Sequence, residues 1–137
     1  RNFKKIILSP SLFFNKKKRN IKFHFDFWHG DGNLEKAIKY LEPNDRSDFT
    51  DFMNTNTSFN PHNMFICKSK ETLKKYYENV FPWLMKCEVE FKTYDLSSYG
   101  MQRIYGFLAE RYMSYWFQKN TKFKTLPIYF KDISNLT

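Results

Sequence analysis

The feature that most constrains the fold is a helical pattern over residues 100–120. Apolar side chains recur there at intervals of three and four residues, which places them on one face of a helix. That face consists of Met101, Ile104, Tyr105, Leu108, Tyr112, Tyr115 and Trp116. Because 20% of the chain is aromatic, there is enough apolar area for one core of ordinary size, and a disordered chain is excluded.

The opposite face of this helix carries polar groups and a gap. Arg103 and Glu110 lie about 10.5 Å apart along the helix axis, and Gly106 leaves a notch between them. Phe107 and Phe117 fall on the same side, so we expect something apolar to cover it. A covered arginine or carboxylate needs a partner. Solvation, structural pairing and ligand binding all remain open for this face.

An alternating pattern over residues 21–28 predicts a strand with one buried face. His24, Asp26 and Trp28 would then share the other face, where the imidazole and the carboxylate could contact a polar substrate and the indole could form an apolar platform. Structural hydrogen bonding is the alternative. The metal signal is weak, because no third ligand with a recognised spacing follows.

The remaining pattern predicts an α/β fold, with further strands at residues 4–8, 64–67 and 126–130. Helices are expected after an Asn33 cap, from about Asp45 and after a Ser69 cap, and Pro82 should kink or restart the last of these. Residues 1–137 form one domain in this interpretation. Since the sequence opens at Arg1 within a strand-like run, we expect it to be the C-terminal portion of a larger domain.

Two polar residues, His62 and Asn63, stand just before the predicted strand 64–67. Polar side chains at such a position reach a cleft at a sheet edge. A turn in which Asn63 satisfies nearby backbone groups is an equal alternative.

The net charge of +9 raises the question of a polyanion partner. The only basic run is Lys16-Lys17-Lys18-Arg19, and a solvated loop is the favoured interpretation of it. No stretch has the roughly 18 apolar residues of a membrane span, and no secretory signal is recognised. Cys67 and Cys87 lack metal or redox spacing, so we expect reduced thiols in an intracellular protein.

Three segments carry a resemblance to a known family: HFDFWHGDG, PHNMFI with the helix ending YYENVFPWL, and RIYGFLAERY. In order and spacing they resemble the C-terminal half of the bacterial capsular polysaccharide synthesis domain family. The resemblance spans residues 5–117. It implies a GT-A-like glycosyltransferase fold, with short central strands covered by helices.

The implied activity is transfer of a sugar from a nucleotide-diphosphate donor to a glycan or lipid-linked acceptor, in the synthesis of capsule, exopolysaccharide or lipopolysaccharide. The family's N-terminal half, with a Tyr-Arg-Arg-Tyr segment near the expected diphosphate site, is not in this sequence, so we expect the segment alone to be inactive. No tightly bound cofactor is expected, and dependence on a divalent metal is open. The implied location is the cytoplasm, with peripheral contact to the anionic inner membrane left open.

The resemblance also implies roles for particular residues. Glu110 becomes the candidate base that deprotonates the acceptor hydroxyl, with Asp26 in reserve. Arg103 and Arg111 become candidate contacts to diphosphate or acceptor. The candidates for holding the sugar are His24, Trp28, His62 and Asn63.

Two alternatives come from other classes. One is a non-catalytic basic domain that binds nucleic acid through the Lys16–Arg19 run, although no nucleic-acid partner is expected under the transferase interpretation. The other is a metal-dependent hydrolase built on His24, Asp26 and His29.

Overall fold

The computed structural model describes residues 19–92 and 94–126. All regular secondary structure in these ranges is helical. In chain order the helices are α1 (Ile21–His29), α2 (Asn33–Ile38), α3 (Pro43–Thr55), α4 (Lys70–Phe91), α5 (Tyr99–Gln102) and α6 (Ile104–Asn120). The predicted α/β class with central strands is therefore wrong for the described part of the chain, and so is a GT-A-like arrangement of it.

Helix α1 replaces the strand that alternation predicted over residues 21–28. Its buried residues are Ile21, Phe25 and His29, spaced four apart as a helix face requires. Asn20 caps it, because the side-chain Oδ1 accepts a hydrogen bond of 2.7 Å from the Phe23 amide. The alternation arose because two bulky residues, Phe23 and Phe27, lie outside the buried stripe; Phe27 is half exposed.

The other predicted strands are not found among the described residues. Residues 64–67 form an irregular connection between α3 and α4, in which Phe65 packs 5.5 Å from the ring of Tyr76 while Ile66 is exposed. Leu126 is irregular as well. The rest of the predicted strand 126–130, and all of the strand at 4–8, lie outside the described residues.

The helix signals in the sequence were more informative. Ser69 caps α4 as predicted, with its Oγ accepting from the Thr72 amide at 3.1 Å. Pro43 lies in the first turn of α3, a favoured position for proline. Pro82 does not restart α4, which runs unbroken for 22 residues. The buried stripe of α4 continues from Val80 to Trp83 across the proline, and this packing holds the helix together.

The core consists largely of aromatic rings between α3, α4 and α6. Phe49 is fully buried, with the rings of Trp83, Tyr112 and Tyr115 between 5.2 and 5.9 Å from its own. The indole N–H of Trp83 donates a 2.7 Å hydrogen bond to the Ala37 carbonyl, which satisfies its polar atom in the core. This packing fixes α6, whose other face carries the polar residues singled out by the sequence.

Within the described ranges, no helix combines the length and the apolar character needed to cross a membrane.

Candidate functional site

Arg111, on α6, is the centre of the polar cluster and is only 1% exposed. One guanidinium nitrogen, Nη1, lies 3.0 Å from Glu110 Oε2 and donates to the Phe107 carbonyl at 3.1 Å. The other, Nη2, lies 3.1 Å from His24 Nδ1. The buried Nε has no hydrogen-bond partner among the described residues. Arg111 therefore links α6 to α1.

Aromatic rings surround the Arg111 guanidinium. Its central carbon lies 4.2 Å from the ring centre of Phe59, 5.5 Å from that of Phe25 and 5.8 Å from that of Phe107. Burial lowers the pKa of Arg111 to about 10, so the group still carries its charge at neutral pH. The adjacent carboxylate and the ring faces compensate for the lost hydration.

His24 is held in one tautomer by this contact. A guanidinium can only donate hydrogen bonds, so Nδ1 of His24 must accept and the ring proton sits on Nε2. Burial, and then the charge of Arg111, lower the pKa of His24 to about 4. No hydrogen bond from Nε2 is found within the described residues. The half-buried ring lies 6.5 Å from the indole of Trp28, which is 58% exposed.

Glu110 and its neighbours are covered by residues 59–63, which we call the cover loop. The Oε1 atom of Glu110 accepts from the His62 amide at 3.0 Å, and the Asn63 side chain donates to the Gly106 carbonyl at 3.1 Å. Further along, Ser114 Oγ accepts from the Asn60 amide at 2.8 Å. The face that the sequence predicted to be covered is thus closed by the loop, apart from Gly106 and Arg103, which are exposed.

A family model described as "Domain of unknown function (DUF4422)" matches residues 3–121. The chain belongs to this family. The match extends over α1 to α6 and so includes every member of the cluster around Arg111. Comparisons with curated proteins and with solved structures found no match.

Six of the residues singled out from the sequence come together in this DUF4422 domain. His24 and Glu110 each contact Arg111, Trp28 lies beside His24, and the backbone of His62 and the side chain of Asn63 are bound to α6. They meet at the junction of α1, the cover loop and α6, and not at the edge of a sheet.

Asp26 is not part of this cluster. The prediction that His24 and Asp26 share a face is wrong, because residues two positions apart on a helix point about 200° away from each other. Asp26 instead forms an ion pair with Lys22, which also lies 2.5 Å from Glu35. Burial raises the pKa of Asp26 despite the nearby ammonium group.

Arg103 lies at the break that divides the predicted helix 100–120 into α5 and α6. It is exposed, and its Nη1 donates to the Tyr99 hydroxyl at 2.7 Å. Of the two arginines proposed to meet a substrate, Arg103 is therefore accessible and Arg111 is enclosed.

Sequence reasoning missed the structural roles of His29 and Gly100. The buried His29 ring stacks on Phe107 at 4.1 Å, and burial together with Arg111 lowers its pKa to about 3. A Cβ at Gly100 would lie 2.3 Å from the Trp28 carbonyl oxygen, so α5 sits directly on the end of α1. The four-residue spacing of Ile21, Phe25 and His29 was the available signal for the first of these.

Within the part of the chain that the structure describes, no three His, Cys, Asp or Glu side chains are grouped so that they could hold a metal ion. The predicted trio of His24, Asp26 and His29 is dispersed around α1, since His24 faces Arg111 and Asp26 faces Lys22.

Proposed function

We propose that this DUF4422 domain works in glycosyl transfer, from a nucleotide-diphosphate sugar to a glycan or lipid-linked acceptor in surface polysaccharide synthesis. The observation that carries the proposal is that buried Arg111 holds a neutral imidazole, His24, and a carboxylate, Glu110, next to the exposed indole of Trp28. His24 as a hydrogen-bond donor, Glu110 as a hydrogen-bond acceptor and the apolar face of Trp28 together suit the binding of a sugar ring with several hydroxyl groups. The resemblance of three segments to capsular polysaccharide synthesis domains supports the same class.

Sugar binding in this proposal depends on His24 and Trp28. Because Nδ1 of His24 already accepts from Arg111, Nε2–H is the group that is left to donate to a sugar hydroxyl. The exposed indole of Trp28 offers an apolar face for the C–H side of the same ring. A neutral donor suits this task, since a sugar carries hydroxyl groups rather than charge.

Glu110 is the proposed base. Each of its oxygens accepts one hydrogen bond, from the His62 amide and from Arg111, which fixes the carboxylate and leaves further lone pairs available. The acceptor hydroxyl would pass its proton to Glu110 while its oxygen bonds to the anomeric carbon. The bond from that carbon to the diphosphate oxygen breaks, and the nucleoside diphosphate leaves with the bonding electrons.

The different exposure of the two arginines supports different tasks for them in this proposal. Arg111 is enclosed by protein, so it acts as a positioning residue for His24 and Glu110. Arg103 is exposed and can present its guanidinium to the departing diphosphate, whose oxygens suit its planar set of donors. Asp26, the reserve base, belongs to the separate ion-pair network with Lys22.

The test is release of nucleoside diphosphate by the product of the complete gene, supplied with UDP-, GDP- and dTDP-sugars, Mg²⁺, Mn²⁺ and membrane-extracted acceptors. We expect turnover with at least one donor, and a kcat for Glu110→Gln that is lower by about 10² to 10⁴. The control is Glu78→Gln, which alters an exposed carboxylate on α4. Circular dichroism checks that both variants fold.

Two results would contradict the proposal. If no nucleoside diphosphate is released from any of the donors, the proposal of glycosyl transfer is wrong. If folded Glu110→Gln turns over at the wild-type rate, Glu110 is not the base and this site does not carry out the reaction.

A further inference from the structure

A row of large apolar side chains on α4 faces solvent. Tyr77 is 39% exposed, Phe81 52%, Met85 67% and Val89 74%. They recur every four residues and so follow one side of the helix. Tyr77, Phe81 and Met85, together with Leu73 and Pro82, border a shallow groove, and Val89 lies beyond it. A contiguous exposed apolar patch of this kind marks an interaction surface on a soluble domain.

The chemistry of this row is symmetric about Phe81. Four residues away on either side stand Tyr77 and Met85, and eight residues away stand Leu73 and Val89, all apolar. Seven residues away stand two exposed charges of opposite sign, Lys74 and Glu88. When a helix packs antiparallel on its own copy, residues at equal distances before and after the centre meet.

We propose that α4 docks antiparallel on α4 of a second copy of this chain, with a two-fold axis next to Phe81. The symmetry brings Tyr77 of one protomer to Met85 of the other, and Lys74 to Glu88, twice in each dimer. Glu88 forms no ion pair within the described residues. Lys74 has only a loose contact of 3.6 Å with the exposed Glu78.

Charge selects the antiparallel arrangement over the parallel one. In a parallel pair the two-fold axis would run along the helices, Lys74 would face Lys74 and Glu88 would face Glu88, and both contacts are repulsive. The next symmetric pair, Lys70 and Lys92, carries like charges but lies about 16 Å from the centre, where helices packed at a crossing angle have diverged. This interface is independent of the glycosyl-transfer proposal, because its residues lie outside the cluster around Arg111.

Sedimentation velocity of the full chain over a hundredfold range of concentration tests the proposal. We expect a concentration-dependent dimer that Phe81→Glu converts to a monomer, with unchanged circular dichroism because Phe81 is exposed. Lys74→Glu and Glu88→Lys should each weaken the dimer about tenfold or more, since each places like charges opposite one another. Combining both changes in one chain should restore it.

Lys75→Glu is the matched control for Lys74→Glu. It reverses the neighbouring lysine, which is also exposed but points about 100° away around the helix and pairs with Glu71. It should leave the dimer intact.

Three outcomes would overturn the proposal: a wild-type monomer throughout the concentration range, a dimer that survives Phe81→Glu, or a charge-swapped double variant that stays as weak as the single ones. Binding of a monomeric wild type to anionic phosphatidylglycerol vesicles would assign the row to a lipid surface instead.

Discussion

Nη2 of Arg111 lies 3.1 Å from Nδ1 of His24. This contact joins the first and last helices of the described chain, although the two residues are 87 positions apart in the sequence. Because a guanidinium can only donate hydrogen bonds, the contact defines the orientation of the histidine ring and places its proton on Nε2. The same guanidinium holds Glu110. A substitution at Arg111 should therefore act on stability and on the site together.

We expect Arg111→Met to lower the free energy of unfolding by about 3 to 5 kcal/mol, because it leaves the mostly buried Glu110 carboxylate without its cationic partner. Arg103→Met is the matched control and should change stability by less than about 1 kcal/mol, since Arg103 is exposed. Urea denaturation followed by circular dichroism measures both. Equal losses for the two variants would show that Arg111 does not support the fold in this way.

Acidification should destabilise the domain through the half-buried His24 and the buried His29. The folded-state pKa is lowered to about 4 for His24 and about 3 for His29, against 6.5 in an unfolded chain. The unfolded state therefore takes up protons first as the pH falls, so the stabilisation is complete above pH 6.5 and is lost towards pH 4 for His24 and towards pH 3 for His29.

His24→Gln separates this effect from other titrations. Glutamine can still accept from Arg111 but does not titrate, so the loss of stability between pH 7 and pH 4.5 should shrink by about half, with His29 supplying the rest. The measurement is the urea midpoint at several pH values. A wild-type midpoint that stays constant over this range would refute the assignment.

The two glycines near the site should respond in opposite directions to alanine. Gly100→Ala places a Cβ against the Trp28 carbonyl oxygen, which is backbone and cannot move aside, and should cost about 1 to 3 kcal/mol. Gly106→Ala meets nothing within 4 Å and lies in a helix, so it should stabilise by up to about 1 kcal/mol. Thermal melting compares them. A tolerated Gly100→Ala would mean that α5 does not rest on α1.

Trp28 should matter for sugar binding and little for folding. Because the indole is more than half exposed, Trp28→Ala should change stability by about 0.5 kcal/mol or less. Saturation-transfer NMR with the donor and acceptor sugars should show a loss of binding of about tenfold, the scale of one lost ring contact. Phe27→Ala, the exposed aromatic neighbour, should bind as the wild type does. Similar binding by both variants would exclude the indole as a platform.

Local signals in the sequence predicted part of this fold. The Ser69 cap and the helix near Asp45 depend on interactions within a few residues, and the structure confirms them. The apolar face predicted over residues 100–120 is confirmed on α6, whereas Met101 lies on the separate helix α5. The strand over residues 21–28 was wrong, because the period-two pattern and the four-residue stripe of Ile21, Phe25 and His29 coexist there. Which of the two patterns is buried depends on the helices that pack against this segment, and a local sequence pattern does not contain that information.

The site was predictable as a set of residues but not as an arrangement. The residue types of His24, Glu110 and Arg111 indicated polar chemistry, whereas the contact between α1 and α6 that unites them has no local signature. The position of Asp26 followed from the wrong secondary structure: on a strand it would face the same way as His24, and on a helix it pairs with Lys22.

The cover loop holds two consecutive residues, His62 and Asn63, at positive φ values of 73° and 49°. Such backbone is uncommon outside glycine and persists where neighbouring structure imposes it. Here the anchors are Glu110 and Gly106 on α6. The conformation of the cover loop therefore depends on α6. A substitution at a buried position of α6 would still alter the surface that the loop presents to an approaching molecule.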